Sequence, residues 1–571
     1  MKVNILLLLV FFMAVNISNK VYSQEKEIVA YFPEWRAEEE NPYYIKNIVE
    51  SGAAGKITVI NYSFAEPGPD STGKIIPQFR SRFLAYQQEY TAEMSVDGKA
   101  DSPDQKLKGH FNQIKKLKEM YPNIRVVISI GGWAGSKYFS DAALTKESRE
   151  YFVNSAVNIF IKGNIPGENG AGAAEGVFDG IDIDWEYPVE KGDTGIHHNE
   201  KDNDNLTELF ALFRKKLDEI RPGMILSAAV PGAEEIAKNY NLTKDQEYLD
   251  YYTLMTYDFN GSWSNVTGHH TNLFSTAGSE SSVDKTIKVF RDKYGVNSSK
   301  LVVGAAFYGR GWQNVEDAGT GGKNQAAVPM EENAGYGYFR NLKNAESDGF
   351  KLYWDTTAMA PYLYNPEKKL FWTFDDPQSM VLKAQYVDAY NLRGVMFWEI
   401  TGDDSTGTLL NSIFTRRMPE NRISAENAGD PVISIENPAE KSYGLSGSSI
   451  LINTKIKSGF ASEVEFFVDG KSIGTDTKAP FDWVWFNIQP GDHRVKAVAK
   501  NMKGEIADTD ETTVKVLELS NLIKFWQTGE DYSAEEMVYF EGKIFACTKI
   551  IKNAGPADNP FLNKLSWQIL N

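Results

Sequence analysis

Between Glu27 and about Arg417, eight short apolar segments alternate with amphipathic stretches, a pattern few topologies accept. The segments are Ile28–Phe32, Lys56–Phe64, Arg125–Gly131, Val177–Tyr187, Met224–Pro231, Tyr251–Tyr257, Leu301–Tyr308 and Gly394–Ile400. Most are near-continuous apolar runs, as expected of strands buried on both faces. Runs of helical period separate most of them: Lys106–Met120, Thr145–Ile161, Lys201–Ile220, Val283–Tyr294 and Pro377–Tyr390. The last opens with Asp376 as N-cap and Pro377 at the first helical position. Eight strands alternating with helices over this length predict an α/β fold, a (β/α)8 TIM barrel rather than a doubly wound sheet. The spacing breaks between Gly309 and Trp372, in Gly- and aromatic-rich sequence without a barrel helix. That stretch, about residues 313–371, is read as a subdomain inserted after the seventh strand.

Three further segments flank the barrel. Lys2, an apolar run from Ile5 to Val15 and the small Ser23 before Gln24 read as a secretory signal peptide over residues 1–23. The run is too short for a membrane anchor, so a secreted, extracellular protein is expected, with residues 24–417 as the barrel domain. Residues 418–430 are polar and are read as a linker. Residues 431–518 alternate in the strand period, with Asp469-Gly470 as a hairpin turn after Glu463–Val468, and predict a β-sandwich. Residues 520–571 carry Trp526, Tyr532, Tyr539, Phe540, Phe545 and Trp567, enough for a compact β module. Cys547 is the only cysteine, so no intrachain disulfide can form. A formal charge of −17 without a basic run argues against nucleic acid or an anionic membrane as partner. A neutral polymer tolerates that charge, and the aromatic content of 13 % suits the stacking of sugar rings.

The chemistry concentrates in Phe178-Asp-Gly-Ile-Asp-Ile-Asp-Trp-Glu-Tyr-Pro188. At the strand period, Asp182, Asp184 and Glu186 share one face while Ile181, Ile183 and Trp185 share the other. Same-face neighbours lie roughly 6–7 Å apart, and like charges that close hold protons above the usual carboxylate range. A carboxylic acid kept protonated near neutral pH is what a glycosidic oxygen needs as general acid. A calcium loop is excluded because the spacing lacks the Gly at position 6 and the Glu at position 12. The pairs His197-His198 and His269-His270 have no Cys or acid spacing that completes a zinc site, so no metal or other cofactor is expected.

Barrel chemistry sits at the C-terminal ends of the strands. Those ends carry Tyr31-Phe-Pro-Glu-Trp35, Ser129-Ile-Gly-Gly-Trp133, the acidic file, Met255-Thr-Tyr-Asp258, Tyr308-Gly-Arg-Gly-Trp312 and Phe397-Trp-Glu399. Asp179-Gly-Ile-Asp-Ile-Asp-Trp-Glu186, Ser129-Ile-Gly-Gly132, Met255-Thr-Tyr-Asp258 and Met396-Phe-Trp398 together resemble the motifs of glycoside hydrolase family 18 chitinases. The insertion resembles the α+β insertion that walls one side of the cleft in deep-cleft bacterial members. The resemblance implies hydrolysis of β-1,4-linked N-acetylglucosamine polymers by substrate-assisted, retaining catalysis. Glu186 would be the general acid and then base, Asp184 would hold the acetamido N–H, and Asp182 would share a proton with Asp184. Tyr257 would donate to the acetamido oxygen, with Asp258 and Met255 beside it and Trp398 as the floor. Tyr31 and Ser129 would support Asp182, while Trp133, Arg310, Trp312, Trp263, Asp375 and Tyr353 are candidate subsite contacts. Chitin and N-acetylglucosamine oligosaccharides are the implied partners of a monomer. An endo-β-N-acetylglucosaminidase on N-glycans and a silent chitin-binding lectin are the rivals. Val464–Gly474 with Ala479-Pro-Phe481 resembles bacterial immunoglobulin-like domains. Residues 520–571 are similar to carbohydrate-binding modules of families 5 and 12, in which the position of Trp567 is an exposed sugar platform.

Overall fold

The structure, a computed structural model, describes residues 26–570 except 168–169, 191, 277–278, 417–429, 459–460, 477–480, 502–503, 519–523, 541–542, 559 and 561–566. The expected signal peptide and nearly all of the expected linker lie outside the described residues. Eight parallel strands close a barrel: β1 (Glu27–Pro33), β2 (Val59–Pro69), β3 (Arg125–Gly131), β4 (Gly180–Asp184), β5 (Ile225–Pro231), β6 (Tyr251–Met255), β7 (Leu301–Ala306) and β8 (Gly394–Trp398). Each pairs with its neighbours in chain order, and β8 returns to β1 in the register Val29↔Met396. Val29, Val59, Val127, Ile225, Tyr251, Val302 and Met396 fill the interior. Alternate residues such as Ile181, Ile183, Leu226 and Val303 face outward into the core beneath the helices.

The sequence placed all eight strands, with shifts at their ends. The fourth is five residues long rather than the expected Val177–Tyr187. Asp179 turns the chain before it, accepting from Lys118 Nζ at 2.7 Å and Val126 N at 2.9 Å. Helices Gly109–Met120, Lys146–Ala156, Asp202–Ile220, Val283–Lys288 and Pro377–Ala389 fall where the period put them. The second and fourth continue into wider single turns, Val157–Ile161 and Val289–Lys293. Asp376 caps the last helix as expected, accepting from Ser379 N at 2.7 Å.

The insertion begins slightly earlier than expected, as strand Tyr308–Gln313 leaving β7. This strand pairs antiparallel with Val328–Pro329, Tyr336–Tyr338 and Leu370–Thr373, and the sheet continues through Ala360–Asn365 to Lys351–Asp355. Trp312, Val315, Tyr362, Tyr364 and Phe371 form its core. Trp312 is therefore a packing residue rather than a subsite contact, and its Nε1 donates to Ser264 O at 2.9 Å.

Residues 432–517 form two facing sheets, and Asp469 and Gly470 both take positive φ in the expected hairpin turn. The last unit is a four-stranded sheet of Lys524–Phe525, Met537–Phe540, Lys543–Cys547 and Trp567–Leu570. It rests on the sandwich: Gln568 accepts from Tyr443 N at 2.7 Å and donates to Tyr443 O at 2.8 Å. Met537, Ala546 and Leu570 pack against Tyr443, Leu445 and Leu517 below it.

The expected role of Trp567 is overturned. The side chain is 3 % exposed, packs edge-on against Tyr532 and donates from Nε1 to Asp558 O at 2.8 Å. A ring with both faces covered cannot stack on sugar. Trp567→Ala is expected to destabilise the module by about 3–5 kcal/mol, read in denaturant unfolding of the full chain. Unchanged unfolding with weakened adsorption to polysaccharide would restore the platform role. Among the described residues, no helix is long and apolar enough to cross a membrane.

Candidate active site

The end of β4 runs beneath the open end of the barrel and presents three carboxyl groups in different settings. Asp182 is wholly buried. Its Oδ2 accepts from Tyr31 OH at 2.9 Å and Ser129 Oγ at 2.8 Å, and its Oδ1 from Ser227 Oγ at 2.6 Å. Burial raises its pKa and the three hydroxyl donors oppose the rise. Asp184 is also buried, and its Oδ1 has no hydrogen-bond partner among the described residues. Burial, then the charges of Glu186 and Asp182, push it well above the carboxylate range. Glu186 lies just past the strand, 8 % exposed, with its main-chain N–H donated to Ser136 Oγ at 2.9 Å. Burial pushes its carboxyl up to about 7. Asp184 and Glu186 interact directly, so the pair titrates jointly.

The glycine pair after β3 makes this geometry possible. Gly131 has φ +118°, and a Cβ there would stand 2.0 Å from Asp184 O. Gly132 N and Ser136 Oγ donate to that carbonyl at 2.8 and 3.1 Å, fixing the main chain between the two acids.

Opposite the file, Tyr257 points its hydroxyl toward Met396 Sδ at 3.7 Å, and Met255 is half-buried at the end of β6. Asp258 has φ +56° and meets Arg310 through two parallel bonds, Nε to Oδ1 and Nη2 to Oδ2, both 2.7 Å. Burial alone would raise Asp258, but the Arg310 charge, with His270 behind it, holds the carboxyl well below its usual range. The fork occupies both oxygens of Asp258. Trp398 stacks on Phe64 at 5.8 Å and 14°, with Tyr31 at 5.5 Å and Trp35 at 6.4 Å, forming an aromatic floor. Trp133 and Trp263 stand 53 % and 60 % exposed, Trp133 against Tyr187 and Trp263 over the Arg310 guanidinium.

Thus Tyr31, Ser129, Asp182, Asp184, Glu186, Met255, Tyr257, Asp258, Arg310 and Trp398 come together, with Trp133 and Trp263 at the open end. Two other candidates do not join them. Asp375 is fully buried in an ion pair with Lys383 Nζ at 2.5 Å, and Tyr353 stacks on Tyr362 within the insertion. Among the described residues, no group of three or more His, Cys, Asp or Glu could hold a metal ion. His269 instead meets Asp355 at 3.0 Å. Sequence reading missed Ser227 and Ser136. Ser227 sits beside Asp182 in the β4–β5 register, so its alignment with the acid was legible in principle, but no motif marks it.

The chain resembles known proteins across this whole barrel. Residues 27–403 match Glycosyl hydrolases family 18, and residues 431–497 match the bacterial Ig domain. Chitinase A1 of Niallia circulans is 34 % identical over 430 residues, covering 68 % of this chain and 58 % of that protein. Chitinase C of Streptomyces lividans is 33 % identical over 390 residues, covering 66 % and 58 %. The chain thus spans less than two thirds of the length of these relatives. The catalytic domain of psychrophilic chitinase B from Arthrobacter TAD20 superposes with a TM-score of 0.63 at 30 % identity, over 69 % of this chain and 95 % of that one. With the family match spanning well over half of its length and the barrel closed around the motif residues, this chain belongs to the glycosyl hydrolases family 18.

Proposed function

We propose that this protein is a secreted chitinase that cleaves β-1,4-N-acetylglucosamine linkages with retention, using the substrate's own acetamido group as nucleophile. The observation that carries this reading is the division of labour among four carboxyls. Three hydroxyls engage both oxygens of Asp182 and Arg310 engages both oxygens of Asp258. Of the four, that leaves Asp184 at the end of β4 and Glu186 two residues beyond it, on one segment of chain rather than on opposite sides of a sugar. Ordinary retaining glycosidases need carboxyls about 5–5.5 Å apart flanking the bond, and substrate assistance removes that need.

Glu186, protonated below about 7, gives its proton to the glycosidic oxygen as the C–O bond breaks. The acetamido oxygen attacks the anomeric carbon and closes an oxazolinium ring. Asp184 accepts from the acetamido N–H and balances the positive charge that develops, while Tyr257 donates to the acetamido oxygen. Glu186, now a carboxylate, takes a proton from the water that opens the ring, and the acid is regenerated. Trp398 supports the reacting sugar from below. The C-terminal module would hold the enzyme on polymer through a surface other than Trp567.

Product analysis on chitin hexasaccharide, beside a high-mannose N-glycoprotein, tests the reading. Chitobiose from the hexasaccharide is expected, with the glycoprotein untouched. Glycan release with chitin oligomers intact would move the assignment to an endo-β-N-acetylglucosaminidase. Binding without cleavage of either substrate would make the protein a lectin.

A further inference from the structure

The inserted subdomain and the first barrel strand meet on a single carboxylate that the chemistry above does not use. Glu399 directly follows Trp398 and is 0 % exposed. Its Oε1 accepts from Arg36 Nε at 2.9 Å, Arg36 Nη2 at 2.6 Å and Tyr338 OH at 2.9 Å. The partners come from separate elements. Arg36 lies in the helical turn Glu34–Glu38 after β1, Tyr338 in the insertion strand Tyr336–Tyr338, and Glu399 past the end of β8. The guanidinium also lies 5.1 Å from the Tyr338 ring centroid and 5.8 Å from that of Trp35.

A carboxylate this far from water is retained only when its partners are well placed, and a guanidinium fork restricts their direction as well as their distance. Tyr338 is itself tied to the insertion sheet, pairing with Tyr308, and the next residue donates from Phe339 N to Phe307 O at 3.0 Å. The position of Tyr338 therefore reports the position of the insertion sheet. On the other side, Trp35 lies against Phe64 at 6.1 Å and Trp398 at 6.4 Å. From the acidic file, Trp35 is reached through Tyr31 and then Trp398. Among the described residues, none of Arg36, Tyr338 and Glu399 hydrogen-bonds to Asp182, Asp184 or Glu186.

We infer that Arg36, Glu399 and Tyr338 form a clamp that fixes the insertion against Trp35, which reaches the acidic file only through Trp398 and Tyr31, and so sets the grip on sugar rings remote from the bond cleaved. All three are positioning residues. They act on the binding of long chains, through Trp35 and the insertion, and not on the chemical step. The inference rests on the chitinase reading.

Removing Glu399 itself strips the guanidinium of its buried partner, leaving Arg36 only the exposed Glu39, and endangers folding, so the informative variants are Tyr338→Phe and Arg36→Lys. Tyr338→Phe keeps the ring and deletes one donor, while Arg36→Lys keeps the charge and deletes the fork. Initial rates of both variants and wild type are measured on chitin trisaccharide and hexasaccharide, alongside the thermal midpoint. Each variant should raise KM for the hexasaccharide about three- to ten-fold, leaving kcat on both substrates and KM for the trisaccharide within about twofold of wild type. A KM that rises equally on both lengths, a kcat that falls on both, or a lowered thermal midpoint with unchanged kinetics would overturn the clamp. Wild-type inactivity on both oligosaccharides would instead defeat the chitinase reading, and the clamp with it. The two failures are therefore distinguishable.

Discussion

Glu186→Gln is expected to abolish turnover of chitin oligosaccharides while leaving their binding intact. The substitution keeps shape and volume and removes only the transferable proton. The main chain stays anchored, because Glu186 N and Asp184 O are held by Ser136 and Gly132 independently of the side chain. A positioned general acid contributes about 10²–10⁴-fold, and here one group acts in both steps, as acid and then as base. The loss in kcat should therefore sit at the upper end, about 10⁴-fold. Quenching of tryptophan fluorescence by hexasaccharide should be nearly unchanged, because Trp398, Trp35 and Trp133 are untouched. A variant that keeps a substantial fraction of wild-type turnover would remove Glu186 from the mechanism. The wild-type pH profile gives a companion reading. The acid works protonated, so kcat/KM should fall as pH rises through about 7, where burial has placed this carboxyl.

Much of this site was legible because a barrel imposes two rules at once. Strand period puts alternate residues inside, and chemistry gathers at the C-terminal ends. Those rules were enough to place Asp182, Asp184 and Glu186 on one face and Ile181, Ile183 and Trp185 on the other, and the structure has both faces as read. The failures concern residues whose neighbours come from far along the chain. Trp312, Asp375 and Trp567 are polar or aromatic groups near strand ends, and the sequence shows their capacity to bind sugar. Whether a core closes over them depends on the insertion sheet, on Lys383 and on Tyr532. Burial of an aromatic is a tertiary property that composition does not carry. Ser227 shows the opposite case, a small residue with no chemistry of its own that acquires a role because β5 lies beside β4 in register. Glu399 was noted in the sequence only as part of a sugar-facing strand end. Its carboxylate instead turns into the wall between β1 and the insertion.

The contrast between Asp182 and Asp184 leads to the second large effect. Asp182 receives three hydroxyl donors, which favour its anion, whereas Asp184 Oδ1 has no partner among the described residues and Asp184 feels the charges of two other acids. In the resting site the proton of the inner pair therefore belongs on Asp184. When the substrate's acetamido N–H arrives, it offers Asp184 a donor, and as positive charge grows on the oxazolinium ring the Asp184 proton passes to Asp182, the other member of the inner pair, leaving Asp184 as the carboxylate. Asp184→Asn cannot develop that negative charge. Loss of one electrostatic stabiliser of a charged intermediate costs about 10²–10³-fold in kcat, and that loss is expected here. The substitution leaves the titration of Glu186 in place, because the charge that raises Glu186 beside burial is that of Asp258, and Asp184 is already protonated in the resting site. The alkaline limb of the pH–rate profile should therefore stay near about 7 while the plateau falls. Measuring kcat/KM from pH 4 to 9 for wild type and Asp184→Asn tests both statements. A limb that moves toward acid would mean that Asp184 is already ionised when Glu186 titrates, and an unchanged plateau would take Asp184 out of oxazolinium stabilisation.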